Sequence, residues 1–84
     1  MDKTIRSEEM ARLCALLRTT REQAGLRQED VARVLGEPQS FVSKYESGER
    51  RLDLVELEQV CRALSTDLVS FVTRYANDGR LSGL

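Results

Sequence analysis

The apolar residues of this 84-residue chain recur at intervals of three and four, and no run alternates with period two. That spacing predicts helices and no strands. A first helix is expected from Ser7, a good N-cap followed by Glu8 and Glu9 at the positive end of the helix dipole. Met10, Leu13, Cys14, Leu17 and Ala24 give its inward stripe, and Gly25 closes it. A second helix is predicted from Gln28 to Leu35, with Val31, Ala32 and Leu35 inward and Gly36 ending it. Pro38 suits the first turn of a third helix, which runs to about Ser47 before Gly48. Asp53 and Glu56 form a D-x-x-E capping box for a fourth helix over about 54–64. Thr66 or Asp67 caps a fifth, in which Leu68, Phe71, Val72 and Tyr75 fall at i, i+3, i+4 and i+7. Residues 77–84, NDGRLSGL, read as a frayed, flexible tail or one that a partner orders. Five short helices with tight connections make an all-α protein, taken as a single domain over residues 1–84.

The third helix has an unusual polar side. On a helical wheel Gln39, Ser43, Ser47, Ser40 and Lys44 cover an arc of about 140°, while Val42, Tyr45 and Phe41 fill a separate arc of about 100°. Glu46 lies on the boundary between the two. A solvated helix normally carries long Glu and Lys pairs. Glutamine with several serines is a poorer helix former and can approach another surface closely. Gln bonds adenine N6 and N7, Lys donates to guanine O6 or N7, and Ser adapts to either, so this face suits the DNA major groove.

Composition narrows the choice of function. The net charge is −1, which argues against a non-specific polyanion binder. Residues 18–51 carry seven basic against six acidic groups and residues 52–84 carry three against five, a mild asymmetry. A nucleic-acid site must therefore depend on where a few cations sit. The chain has no histidine, and its two cysteines, Cys14 and Cys61, stand apart without a C-x-x-C motif. That leaves too few ligands for a zinc site, and no cofactor is implied. Both cysteines read as reduced core residues, a disulfide being the weaker alternative. No histidine is present as a general base and no glycine-rich loop ends in GK[ST], so an enzyme is not expected. The longest apolar run falls far short of the ~20 residues that span a bilayer, and MDKTIRSEEM has no apolar signal core. A cytoplasmic protein with no membrane contact is expected.

The residues before the polar face place it in a known motif. Val31, Ala32 and Leu35 on one helix, Gly36 at the turn, and Val42 and Tyr45 on the next give the spacing of a helix-turn-helix over about 28–47. Three longer patterns, G-L-x-Q-E-x-V-A, Q-S-x-V-S-x-Y-E-x-G-x-R and L-x-x-V-C-x-A-L, extend the likeness over about residues 12–72. The sequence resembles the XRE family, the helix-turn-helix class of phage Cro and CI-type repressors. The resemblance implies a five-helix, lambda-repressor-like DNA-binding domain. By position, Gln39, Ser40 and Lys44 match base-contacting residues, with Ser43 beside them. Gln28 matches a residue that bonds a phosphate and braces the first recognition glutamine, here Gln39. Ser47, Arg50 and Arg51 match positions near the sugar–phosphate backbone. Arg21 and Glu46 match a structural ion pair found in some relatives, two solvated charges being the alternative.

Two positions depart from the family pattern. Arg27 stands where Ser, Thr or Asn often caps the second helix, and it cannot accept that hydrogen bond. It is either a contact to the DNA backbone or simply an exposed arginine. Glu37 replaces a commonly apolar turn residue and should face solvent, away from phosphates.

One such domain makes few base contacts, so a homodimer on double-stranded DNA is expected, reading half-sites about 34 Å apart. Its contact is placed on the last helix and tail, with Val69, Leu81 and Leu84 as candidates. A scattered exposed valine is the equal alternative for Val69. The leading function is sequence-specific transcriptional regulation of the repressor or controller type. The rival is a protein-interaction module, such as an antitoxin that binds a toxin partner or another regulator and represses its own operon.

Overall fold

The computed structural model describes the backbone of residues 3–82 and the side chains of residues 8–78. Its helices are α1 (Lys3–Gln23), α2 (Gln28–Leu35), α3 (Gln39–Ser47), α4 (Leu54–Ala63) and α5 (Leu68–Ser82). α2 packs against α3 and α4, α1 against α3 and α5, and α4 against α5. The core lies where these faces meet, around Leu16, Leu17, Val31, Val42, Tyr45, Val60, Cys61, Leu64 and Phe71.

Most boundaries follow from local chemistry. The Asp53 carboxylate accepts from the Glu56 N–H at 2.7 Å and the Glu56 carboxylate accepts from the Asp53 N–H at 3.0 Å, the reciprocal box that starts α4. Asp67, and not Thr66, caps α5: its Oδ1 accepts from the Ser70 N–H at 2.8 Å and its Oδ2 from the Ser70 hydroxyl at 2.9 Å. Those bonds, the backbone one foremost, hold the Asp67 carboxyl below its ordinary value. α2 ends at Gly36 with φ +70°, where the Gly36 and Glu37 N–H groups close on the carbonyls of Arg33 and Ala32. Gly48, at φ +88°, ends α3 in the same left-handed way. Any side chain at either position would be strained.

Four expectations need correction. α1 begins at Lys3, so Ser7 lies inside it and is not its N-cap; no Gly or Pro precedes Ser7 to stop the helix there. Ala24 is exposed because α1 has already ended at Gln23, and Leu16 takes a buried place that the stripe omitted. The inward position one turn after Leu17 belongs to Arg21. Pro38 is the N-cap of α3, at φ −68° and ψ 157°, one residue ahead of the first turn. Val72 is 44 % exposed, since α5 meets its neighbours through Leu68, Phe71 and Tyr75. α5 itself runs to Ser82.

Tyr45 is the largest buried side chain, 2 % exposed, and its ring meets Phe41 edge-on at 5.6 Å. Its hydroxyl finds no hydrogen-bond partner among the described residues, and burial raises the phenol well above its ordinary pKa. Burial also lifts the Cys61 thiol to about 11 and raises that of Cys14, whose Sγ donates to the Tyr45 carbonyl at 3.3 Å. Both thiols are free and stay protonated at neutral pH.

Candidate nucleic-acid interface

α3 is presented by its inner face. Val42 and Tyr45 are buried against α1 and α2, which turns Gln39, Ser40, Ser43 and Lys44 outward into solvent. The side chains of Ser40, Ser43 and Lys44 make no hydrogen bond or ion pair among the described residues. Their donors and acceptors are all available to a ligand.

Behind this face runs a chain of hydrogen bonds. Arg21 on α1 grips Glu46 on α3 with two bonds, Nε to Oε2 at 2.7 Å and Nη2 to Oε1 at 3.1 Å. Its remaining Nη1 donates to the Leu26 carbonyl at 2.9 Å, and the bonds it donates to Glu46 raise the guanidinium pKa further. The Glu46 Oε1 also accepts from Gln28 Nε2 at 3.0 Å. The Gln28 Oε1 in turn accepts from Gln39 Nε2 at 3.3 Å. One continuous path thus links the end of α1, the start of α2 and both ends of α3. Only 11 % of the Arg21 side chain and 5 % of the Glu46 side chain are exposed. Losing either partner would leave a partly buried charge, at a cost of about 3 kcal/mol.

The remaining cations divide sharply. Arg27 lies on the surface, neither accepting a cap bond nor extended outward. Its Nε and Nη2 donate to the Asp30 carboxylate at 3.2 and 3.1 Å, and that carboxylate also accepts from the Arg27 N–H at 2.8 Å. Asp30 therefore supplies the acid half of a capping box whose other half is missing, and the Arg27 guanidinium holds its carboxyl below the ordinary value. Arg50 is likewise engaged. It donates to both oxygens of Glu56, at 2.8 and 3.3 Å, and to the Arg51 carbonyl at 2.9 Å, with its guanidinium 4.6 Å from the Phe41 ring centre. The Arg50 bonds lower the Glu56 carboxyl. Ser47 turns back to the Lys44 carbonyl at 3.1 Å. Arg51 is exposed and makes no side-chain hydrogen bond or ion pair among the described residues. Glu37 is exposed at the turn.

The sequence reading passed over the bond from Gln28 to Glu46, and over the carboxylates that claim Arg27 and Arg50. The helical wheel did hold a signal for the first, since it set Glu46 next to Gln39 at the edge of the polar arc.

A helix-turn-helix built this way has known counterparts. The profile of the helix-turn-helix domain family matches residues 10–70. An XRE-family like protein from Pseudomonas syringae pv. tomato str. DC3000 superposes with a TM-score of 0.82 at 41 % identity, covering 89 % of this chain and 92 % of that one. The chain is an XRE-type helix-turn-helix regulator. More distant structures share the fold. The restriction-modification controller protein C.Esp1396I, solved as a tetramer in complex with its natural 35 base-pair operator, matches at TM-score 0.75 and 22 % identity over 82 % of this chain and 91 % of that one. The clp gene regulator ClgR from Corynebacterium glutamicum matches at TM-score 0.76 and 23 % identity over 89 % and 80 %. No curated protein matches the sequence significantly. Among the described residues of this XRE-type chain, no helix is long and apolar enough to cross a membrane and no acid or thiol cluster could hold a metal ion.

Proposed function

We propose that this protein binds operator DNA as a homodimer, with α3 in the major groove, and regulates transcription by occupying that site. The observation that carries the reading is the outward face of α3. Gln39, Ser40, Ser43 and Lys44 are exposed together on a helix whose other face is locked into the core. In this reading Gln39, Ser40, Ser43 and Lys44 meet base edges, while Gln28, Ser47 and Arg51 meet the backbone. Arg27 and Arg50 reach phosphates only by giving up Asp30 and Glu56, so they contribute less. The operator complex solved for the controller protein C.Esp1396I supports DNA as the partner.

The dimer is assigned to α5. Val69 is 76 % exposed and Val72 follows it three residues later, one helical turn along the same side. The side chain of Leu81 and the whole of Leu84 lie outside the described residues. A scattered exposed valine needs no explanation, but two on one face of a terminal helix form a patch that a second copy would cover.

Selecting a labelled random-sequence duplex library with the protein and titrating the bound fraction by fluorescence anisotropy at stepped salt tests the DNA reading. Binding that weakens as salt rises, with log K linear in log salt, is expected. No binding at low salt by folded protein would transfer the function to a protein partner, such as a toxin.

A further inference from the structure

We propose that Glu46, held by Arg21, is a positioning residue for base readout: it fixes the polarity of the Gln28 amide and thereby commits Gln39 to adenine. The inference rests on the DNA-binding reading and goes beyond it, since the ion pair would otherwise serve stability alone.

A carboxylate gripped by a guanidinium can only accept hydrogen bonds. Gln28 must therefore turn its NH2 group toward Glu46, as the 3.0 Å contact has it, and its carbonyl toward Gln39. That carbonyl is likewise acceptor-only, so Gln39 must offer it an N–H, at 3.3 Å. Each amide in the relay has one permitted orientation, and the group that sets both is the carboxylate at its inner end. Gln39 is left with one free N–H and its free carbonyl oxygen.

In the major groove adenine presents an acceptor at N7 beside a donor at N6. One N–H and one C=O match that pair. Guanine presents two acceptors, N7 and O6, which would set the Gln39 carbonyl against a like group. Cytosine offers only its N4 donor and thymine only its O4 acceptor, so each satisfies half of the free set. Without the relay, the Gln39 amide is free to rotate and can turn an N–H to guanine N7 or O6, so its intrinsic preference for adenine weakens. Selectivity at this base is therefore sharpened from Glu46, two hydrogen bonds away from Gln39.

The decisive variant replaces the ion pair as a unit, Arg21→Met with Glu46→Leu, leaving Gln28 and Gln39 in place. Exchanging both charges for apolar groups avoids the stranded charge of a single replacement. Gln28→Leu, which leaves the Arg21–Glu46 pair whole, cuts the same relay by an independent route and covers the case in which the double variant does not fold. Two readouts apply. In the free protein, side-chain amide NMR signals of Gln39 should show a restrained NH2 group in the wild type and an averaged one in both variants. On duplexes that differ only at the base pair to which Gln39→Ala is indifferent, the wild-type preference for adenine over guanine should be about tenfold or more and should drop several-fold in both variants. Wild-type amide signals in a folded variant, or an unchanged adenine preference, would overturn the proposal while leaving the DNA reading intact. A wild type that binds no duplex would overturn both.

Discussion

Adjacent residues of one type can have opposite roles here, and the two arginines after α3 show why. Arg50 is spent on Glu56 and the face of Phe41, whereas Arg51 is exposed without a partner among the described residues. Arg51→Ala should weaken binding to every DNA sequence and lower the salt slope by about one. Arg50→Ala should lower the melting temperature with little change in that slope. Parallel titrations of the two variants check this, and equal salt slopes would merge their roles. Tyr45 gives a second residue-scale outcome. Its buried hydroxyl has no partner among the described residues, so Tyr45→Phe should leave stability unchanged or raise it by about 1 kcal/mol. Urea unfolding measures this, and a clear loss would mean that the hydroxyl is satisfied after all. At this scale the sequence is informative about direction and poor on engagement. The wheel places Ser40, Ser43 and Lys44 outward because period 3.6 and the buried Val42 and Tyr45 leave no choice. Nothing in the letters says that Arg50 folds onto Glu56, because that contact depends on the path of the loop between α3 and α4.

Among elements, the helices with a side-chain cap start where the sequence says they should. Asp53 and Asp67 each accept from the N–H of the third helical residue, which leaves little freedom in where α4 and α5 begin. Asp53→Ala should cost about 1 kcal/mol, read by chemical denaturation. The start of α1 was not legible, because good helix formers continue upstream of Ser7 and no breaker competes with them. Periodicity alone did not place Arg21 in the core; the family resemblance did, by pairing it with Glu46, and the structure shows that pair. A buried charge is recognised only through its partner, and Glu46 stands 25 positions away. Val72 failed for a different reason: periodicity gives the width of a helix face but not how much of it neighbours cover. The capping and bridging carboxylates also set the response to acid. Asp30, Glu56 and Asp67 all have folded pKa values below their ordinary ones. The folded state therefore binds fewer protons than the unfolded chain in this range, and stability falls with falling pH. Their contribution should be complete above the ordinary carboxylate range, about 3.9 to 4.3, and vanish as pH drops through the lower folded values. Thermal melts from pH 6 downward should show that loss, and Asp67→Asn should make it shallower. An acid limb identical to wild type would remove Asp67 from the set.

For the whole molecule, near-neutrality is the informative feature. A net charge of −1 gives no bulk attraction to a polyanion, so affinity has to come from a few placed groups and from pairing two copies. Val69→Glu on the exposed side of α5 should shift sedimentation toward monomer and weaken binding to a two-half-site duplex more than to a single half-site. A variant that stays dimeric would move the interface off α5. The central claim is that α3 reads bases, and one measurement addresses it most directly: selection of a random duplex library by the purified protein, run beside Gln39→Ala, with sequencing of what is bound. Wild type should enrich a (pseudo)palindrome with half-sites about one helical turn apart, and the variant should lose preference at one base pair of each half-site while keeping the rest. Identical selected sites would take Gln39 out of base reading, and no enrichment by folded protein at low salt would contradict base reading by α3 altogether.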